Sequence, residues 1–173
     1  GNVLASWGGK GTADGLFNKP RDIAYNPANR NIFVIDSLNQ RVQEFTSSGA
    51  FVQSWTDPGL YNPYGIDVDP TGTYVWVANP GALPFVKKYA MIGDEVLSCG
   101  TLGSTPPARR WPRGIAVNAA GDVYVAATDM ERVHKFNPND GTQLQVFMGP
   151  ETDAEGPAHP RSVAVNCATG HIY

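Results

Sequence analysis

The sequence predicts an all-β chain built from repeated four-stranded antiparallel sheets, and three observations predict it. The first is recurrence. PRGIAVNAAGDVYVAA (112–127) pairs two short apolar strands across a turn at Ala119–Asp122, and related stretches open at Pro20, Pro63 and Pro160. These prolines stand 43, 49 and 48 residues apart, and a self-similar period of that length marks a solenoid, propeller or array. Second, 14 Pro, 19 Gly and 10% aromatics among 173 residues suit short strands joined by tight turns. Third, within each repeat the first two strands are almost continuously apolar, the third alternates and the fourth is the most polar. A buried inner strand grading to a solvated outer edge is what a propeller blade requires, because blades stack face to face around an axis.

Taken in order, GNVLASWGG (1–9) matches GAFVQSWTD (49–57), so residues 1–8 read as the last strand of a preceding blade. A Gly-rich connector, GKGTADGLFNKP, leads into the first full blade, 20–56, with strands expected at 22–26, 32–36, 41–46 and 51–55. The second, 63–100, carries candidates at 65–69, 74–78, 85–89 and 96–98; the third, 112–149, at 114–118, 123–127, 132–136 and 143–147. Residues 160–173 begin a further blade. Phe45, Tyr89 and Phe136, which end the third strands, fall 25, 26 and 24 residues after their opening prolines, so length varies mainly in the connectors, where insertions cost little. The strands amount to about three and a half blades, whereas a six-bladed ring at this period needs roughly 280 residues. The count points to part of a larger propeller; a small distorted ring, or a ring completed by partners, are the other ways to satisfy it.

PRGIAVNAAGDVYVAATDMERVHKF and PRDIAYNPANRNIFVIDSLNQRVQEF resemble the NHL repeat, with its Pro-X-Gly-Ile-Ala-Val opening, Val-Ala-Asp second strand and Asn-X-Arg-Val-X-X-Phe third strand. GLFNKP resembles the family's lead-in. The resemblance covers almost the whole chain and implies an NHL-type β-propeller, typically six-bladed. The second repeat departs from it, since VANPGALPFVKKY lacks the Asp and Arg, and its outer half is expected to be distorted. A peptide-amidating propeller lyase similar to this family uses zinc-binding histidines directly after the opening proline. Here those positions hold Arg21, Tyr64, Arg113 and Arg161, which argues against that enzyme and its metal.

The same four residues are the leading candidates for a ligand site. A connector that crosses one face and drops into the innermost strand sets them around the channel mouth, where guanidiniums and a phenol can bind a carboxylate, a phosphate or an RNA backbone. The structural alternative is that they hydrogen-bond connector carbonyls and cover the next blade's aromatics. The connector STPPARRWPRG adds Arg109 and Trp111, suited either to stacking on single-stranded nucleic acid or to cation–π packing. Asp36, Asn39 and Arg41, and Asp129 with Arg132 in the third repeat, are expected to fix the turn between second and third strands. Asp67 and Asp69 begin GIDVDPTG, but Pro70, Thr71 and Gly72 supply no further calcium ligands, so a strand and tight turn is the reading. His134 is expected to face solvent on its strand. Cys99 and Cys167, two repeats apart, form no metal-ligand spacing and are expected to be separate thiols.

A net charge of −3 gives no general pull toward nucleic acid or anionic lipid, and no stretch approaches the roughly 18 apolar residues of a membrane span. No hydrolase elbow or phosphate loop occurs. The residues therefore favour a non-enzymatic protein-interaction or scaffolding module without a cofactor, whose partners are another protein or further copies of itself pairing at open strand edges. The alternatives are a propeller lyase or hydrolase whose catalytic residues lie mostly outside this chain, and RNA binding through the arginine-lined face. Few lysines, four Trp and a surface rich in Ser, Thr and Asn suit a secreted or cell-surface protein.

Overall fold

The computed structural model describes residues 2–3, 5–80, 84–100, 111–148, 159–166 and 168–173. Three four-stranded antiparallel sheets account for the twelve strands. The first sheet is β1 (Pro20–Tyr25), β2 (Ile32–Asp36), β3 (Arg41–Phe45) and β4 (Phe51–Thr56). The second is β5 (Gly65–Val68), β6 (Tyr74–Ala78), β7 (Val86–Ala90) and β8 (Glu95–Cys99). The third is β9 (Pro112–Val117), β10 (Val123–Ala127), β11 (Arg132–Phe136) and β12 (Gln143–Met148). In each, strands pair in chain order, so every blade is a meander. Residues 159–173 contribute one antiparallel bridge, Val165 to Ile172.

The first hairpin of each blade is made by one local device. Asn26, Asp69, Asn118 and Asn166 each stand six residues after the opening proline, and each turns its side-chain oxygen onto a backbone N–H two or three residues ahead. Such Asx turns fold the chain back without help from a distant residue. Asp69 accepts from the N–H groups of Thr71, Thr73 and Tyr74, which accounts for this carboxylate as a turn residue.

The blades are joined by alternation along their middle strands. On β6, Val75 and Val77 pack toward the first blade with Phe33, Ile35, Val42 and Trp55. Trp76 and Ala78 point the other way, into a second core with Ile115, Val117, Val123, Val125 and Phe136. On β10, Val123 and Val125 face back while Tyr124 and Ala126 face forward to Val163. A strand buried on both faces needs apolar residues at every position, and YVWVA and VYVAA supply them.

Outer strands lock the stack. Trp55, at the end of β4, lies on Gly93 in the β7–β8 turn, where an added Cβ would come within 2.4 to 2.8 Å of the indole. Gly93 also has φ +92, so both the contact and the backbone call for glycine. Trp7 has the same relation to Gly49, and Cys99 to Gly141. Residues 5–9 carry no strand pairing and are held by Trp7, whose ring centroid is 6.5 Å from that of Phe45.

Several expectations are corrected. The outer half of the second blade is regular: β7 pairs with β6 and β8 through its length, with one bulge between Lys88 and Tyr89. The burial gradient fails at its inner end, since Ile23 and Tyr25 on β1 are each 56% exposed while β5 and β9 are largely buried. β5 packs between β1 and β9, whereas β1 has an inner strand on one side only. His134 is buried, not solvated. It stacks on Phe136 and its Nδ1 lies 2.8 Å from Gln143 Oε1. Cys99 is a buried thiol whose pKa burial pushes up to about 12. Cys167 lies outside the described residues.

Candidate ligand site at the channel mouth

Each inner strand is entered from a connector, and the connectors are held by polar residues at the ends of β2 and β3. In the first blade Asp36 accepts from Arg41 Nε (2.8 Å), Asn39 Nδ2 (2.7 Å), Gln43 Nε2 (3.1 Å) and the Asn18 N–H (2.6 Å). Arg41 continues to the carbonyls of Ala13 and Leu16 and to Asp14. The trio therefore anchors the incoming connector and does more than fix its own turn. In the second blade Lys87 takes this place, bridging Asp57 (2.7 Å) and Glu95 (2.6 Å), while Asn79 bonds Tyr61 N–H and the Gly59 carbonyl. In the third, Asp129 and Arg132 are exposed and, among the described residues, their side chains make none of the turn-fixing bonds expected of them. Position 127, the equivalent of Asp36, is alanine, and Thr128 takes over by donating from Oγ1 to the Pro160 carbonyl at 2.7 Å.

Held this way, three of the four residues after the prolines, Arg21, Tyr64 and Arg113, come together. Arg21 opens β1, Tyr64 precedes β5 and Arg113 lies in β9. The Arg21 guanidinium carbon stands 4.6 Å from the Tyr64 ring centroid and its Nη1 donates to Tyr64 Oη at 3.0 Å. The Arg113 guanidinium carbon stands 5.2 Å from the same ring. Arg113 Nε is shut off from solvent and has no acceptor. Arg161 occupies the next equivalent position, exposed and without a bond to the other three. Trp111 is half-buried, and its carbonyl accepts from the Thr128 N–H. Arg109 lies outside the described residues.

Behind this rim, the inner strands wall a recess of about 600 Å³ that includes Ile23, Ile66, Ile115 and Val163. Two carboxylates lie in that wall: Asp22, which the sequence reading passes over, and Asp67, which it takes only as part of a strand and tight turn. Asp22 Oδ2 accepts from the Ile66 N–H of the next blade (3.0 Å), and Asp67 Oδ2 from the Val117 N–H of the blade after it (2.7 Å). Each supplies the neighbouring inner strand with an acceptor on the edge that has no ladder partner. Burial raises Asp67 to about 6; the charges of Asp22 and Asp69 push the same way, and the Val117 and Val68 N–H bonds oppose them. Burial likewise raises Asp22 against its bonds from Ile66 and Ile23. The available signal was an acid two or four residues after the proline, where the other blades carry Gly, Ala or Ser. Among the described residues no group of three or more His, Cys, Asp or Glu is placed to hold a metal ion.

Meander blades stacked around a common channel define a β-propeller. Residues 17–45 match the family model of the NHL repeat, and the chain has the fold of a β-propeller. It is 28% identical over 113 residues to an uncharacterized protein of Acanthamoeba polyphaga mimivirus, a match spanning 58% of this chain and 26% of that one. Among solved structures, the crystal structure of a nidogen/laminin complex superposes with a TM-score of 0.67 at 22% identity, over 87% of this chain and 53% of that one. Kuenenia stuttgartiensis hydrazine synthase gives 0.67 at 16% identity, over 91% and 42%. A Bacteroides caccae protein of unknown function gives 0.62 at 20% identity, over 91% and 54%. The chain thus spans about a quarter of the viral relative and about half of these structures, and at such identities the structures speak to fold alone. Among the described residues no helix is long and apolar enough to cross a membrane.

Proposed function

We propose that this propeller is a non-enzymatic protein-interaction and scaffolding module that presents its channel-mouth rim to another protein or to a further copy of itself. One observation carries the reading: two guanidiniums, Arg21 and Arg113, converge on the face of Tyr64 with no acceptor but the Tyr64 hydroxyl among the described residues. Binding residues are typically displayed by loops on a rigid scaffold, and the buried connector anchors supply that rigidity. Arg161, at the next equivalent position, extends the rim. A nidogen structure of similar fold was solved in complex with laminin, which supports a protein partner for this fold. A net charge of −3 weighs against an RNA backbone, and the surface composition fits a secreted or cell-surface setting. The test places a photo-crosslinking residue at the exposed position 161 and, as control, at Leu144 on the outer strand β12. Adducts from 161 with another protein, or at a multiple of the chain mass, are expected in the native host. Absence of adducts from 161, with or without adducts from 144, would overturn the reading.

A further inference from the structure

We infer that the rim cluster is a receptor for a single carboxylate, supplied by an aspartate or glutamate side chain on a loop of the partner protein. This deepens the interaction reading above and rests on it for the source of the ligand. Among the described residues, five cationic side chains are buried or half-buried: Arg41, Lys87, Lys88, Arg113 and Lys135. Arg41 has Asp36 and Asp14, Lys87 has Asp57 and Glu95, and Lys135 has Asp122. Lys88 donates to the Pro138 carbonyl at 2.8 Å and lies over the rings of Tyr74 and Trp76. Arg113 has the Tyr64 ring and no acceptor. A half-buried cation without an anion or carbonyl is costly, and an incoming anion supplies the missing countercharge.

The geometry specifies the kind of anion. Tyr64 Oη accepts from Arg21, which leaves its own O–H to donate outward. That hydroxyl and the two guanidiniums over the same ring supply charged and neutral donors of the kind that the two oxygens of a carboxylate accept. Asp22 directly follows Arg21 and Asp67 lines the same wall, and both carboxylates bond backbone N–H groups instead of the arginines. Their negative charge disfavours a phosphate dianion, and the net charge of −3 disfavours a polyanion. Beside Arg21 opens a second recess of about 460 Å³, lined by Ala5, Trp7, Phe17, Ile23 and Val34. An apolar residue next to the acidic one fills it; a free inorganic anion does not.

The test follows the Arg113 and Arg21 Nε–H signals by NMR while the protein is titrated with acetyl-Gly-Glu-Leu-amide, its Gln counterpart, inorganic phosphate, or an oligouridylate of about ten residues. The Glu peptide is expected to shift both signals with a millimolar Kd, and the Gln peptide to bind about tenfold more weakly, as for loss of a charge-assisted hydrogen bond. Tyr64→Phe keeps the ring and is expected to weaken Glu-peptide binding several-fold. Arg113→Ala is expected to abolish the peptide-induced shift of Arg21, with an unchanged urea midpoint showing that the variant folds. Equal binding of Glu and Gln peptides, or retention in Arg113→Ala, overturns the inference. Tighter binding of phosphate or of the oligouridylate overturns the protein source and assigns the donors to phosphate. Crosslinks from position 161 that persist in Arg113→Ala would leave the interaction module standing without this site. Peptide binding without any crosslink would leave the site standing and remove its proposed source.

Discussion

At the residue scale the most instructive position is the anchor at the end of each second strand. The first blade uses a buried Asp36–Arg41 pair, the second Lys87 with Asp57 and Asn79, the third Thr128, and all three hold a connector to its blade. The role is set by place in the repeat and the chemistry is exchangeable, so the Asp and Arg missing from the second repeat cost it no regularity. Asp36→Ala should be severe, because it leaves Arg41 buried with one exposed carboxylate, Asp14, and strips an acceptor from Asn39, Gln43 and Asn18. Removing one member of a buried pair costs about 3–5 kcal/mol, and the urea midpoint should fall accordingly. A loss below about 1 kcal/mol, the value of a surface pair, would show that the pair is dispensable. The carboxyl of Asp57 shifts in the opposite direction from that of Asp67. Burial raises Asp57, but the Lys87 and Tyr89 bonds and the Gly59 N–H outweigh it and bring its pKa down to about 2. Its contribution is therefore present above pH 3.8 and lost as pH falls through 2.

At the scale of the element, the inner strands explain both what was legible and what was not. The PRGIAV pattern located β1, β5 and β9, and three of the four residues after the prolines, Arg21, Tyr64 and Arg113, meet, since position in a repeat translates directly into position on a ring. What the pattern does not contain is the pairing across blades. Gly65 stands where an added Cβ would collide with the Arg113 carbonyl, and Gly114 where it would meet Ser162 Cα at 2.6 Å. These close approaches, like the reach of Asp22 to Ile66 and Asp67 to Val117, join residues some 44 to 50 positions apart. His134 was misread for a related reason: strand alternation separates two faces, and in a stacked blade both faces are buried. Asp67 offers a pH test of the inter-blade joint. Its carboxyl, at about 6 in the fold against 3.8 in the open chain, stabilises the fold fully below pH 3.8 and loses that contribution as pH rises through 6. Asp67→Asn keeps a carbonyl for the Val117 N–H and cannot ionise. Relative to wild type it should gain on the order of 1–3 kcal/mol between pH 4 and pH 7, as a two-unit shift implies. A pH-independent difference in urea midpoints would show that Asp67 carries no such burden.

At the scale of the whole molecule, the main contacts between blades among the described residues are those of neighbours, so stability should divide into blades and joints. The joint between the first and second blades is made by Phe33, Ile35 and Trp55 on one side and Val75, Val77 and Tyr89 on the other. Trp55 is its keystone, wedged on Gly93 with its ring centroid 5.9 Å from that of Phe33 and 6.4 Å from that of Tyr89. Trp55→Ala removes about 3–5 kcal/mol from that joint and touches neither the second joint nor the forward face of the third blade. If stability is local, amide hydrogen exchange should quicken across Ile32–Asp36 and Arg41–Phe45, where the first blade loses its cover. The same measurement on Val123–Ala127, whose core contacts are Trp76, Phe85 and Phe136, should change little. Uniform acceleration across all three blades would instead mean that the stack opens as one cooperative unit. The rim depends on which holds, because Arg21 comes from the first blade, Tyr64 from the second and Arg113 from the third. A stack that opens joint by joint would lose the Arg21–Tyr64 contact first and keep Arg113 over Tyr64, halving the donor set without unfolding the protein.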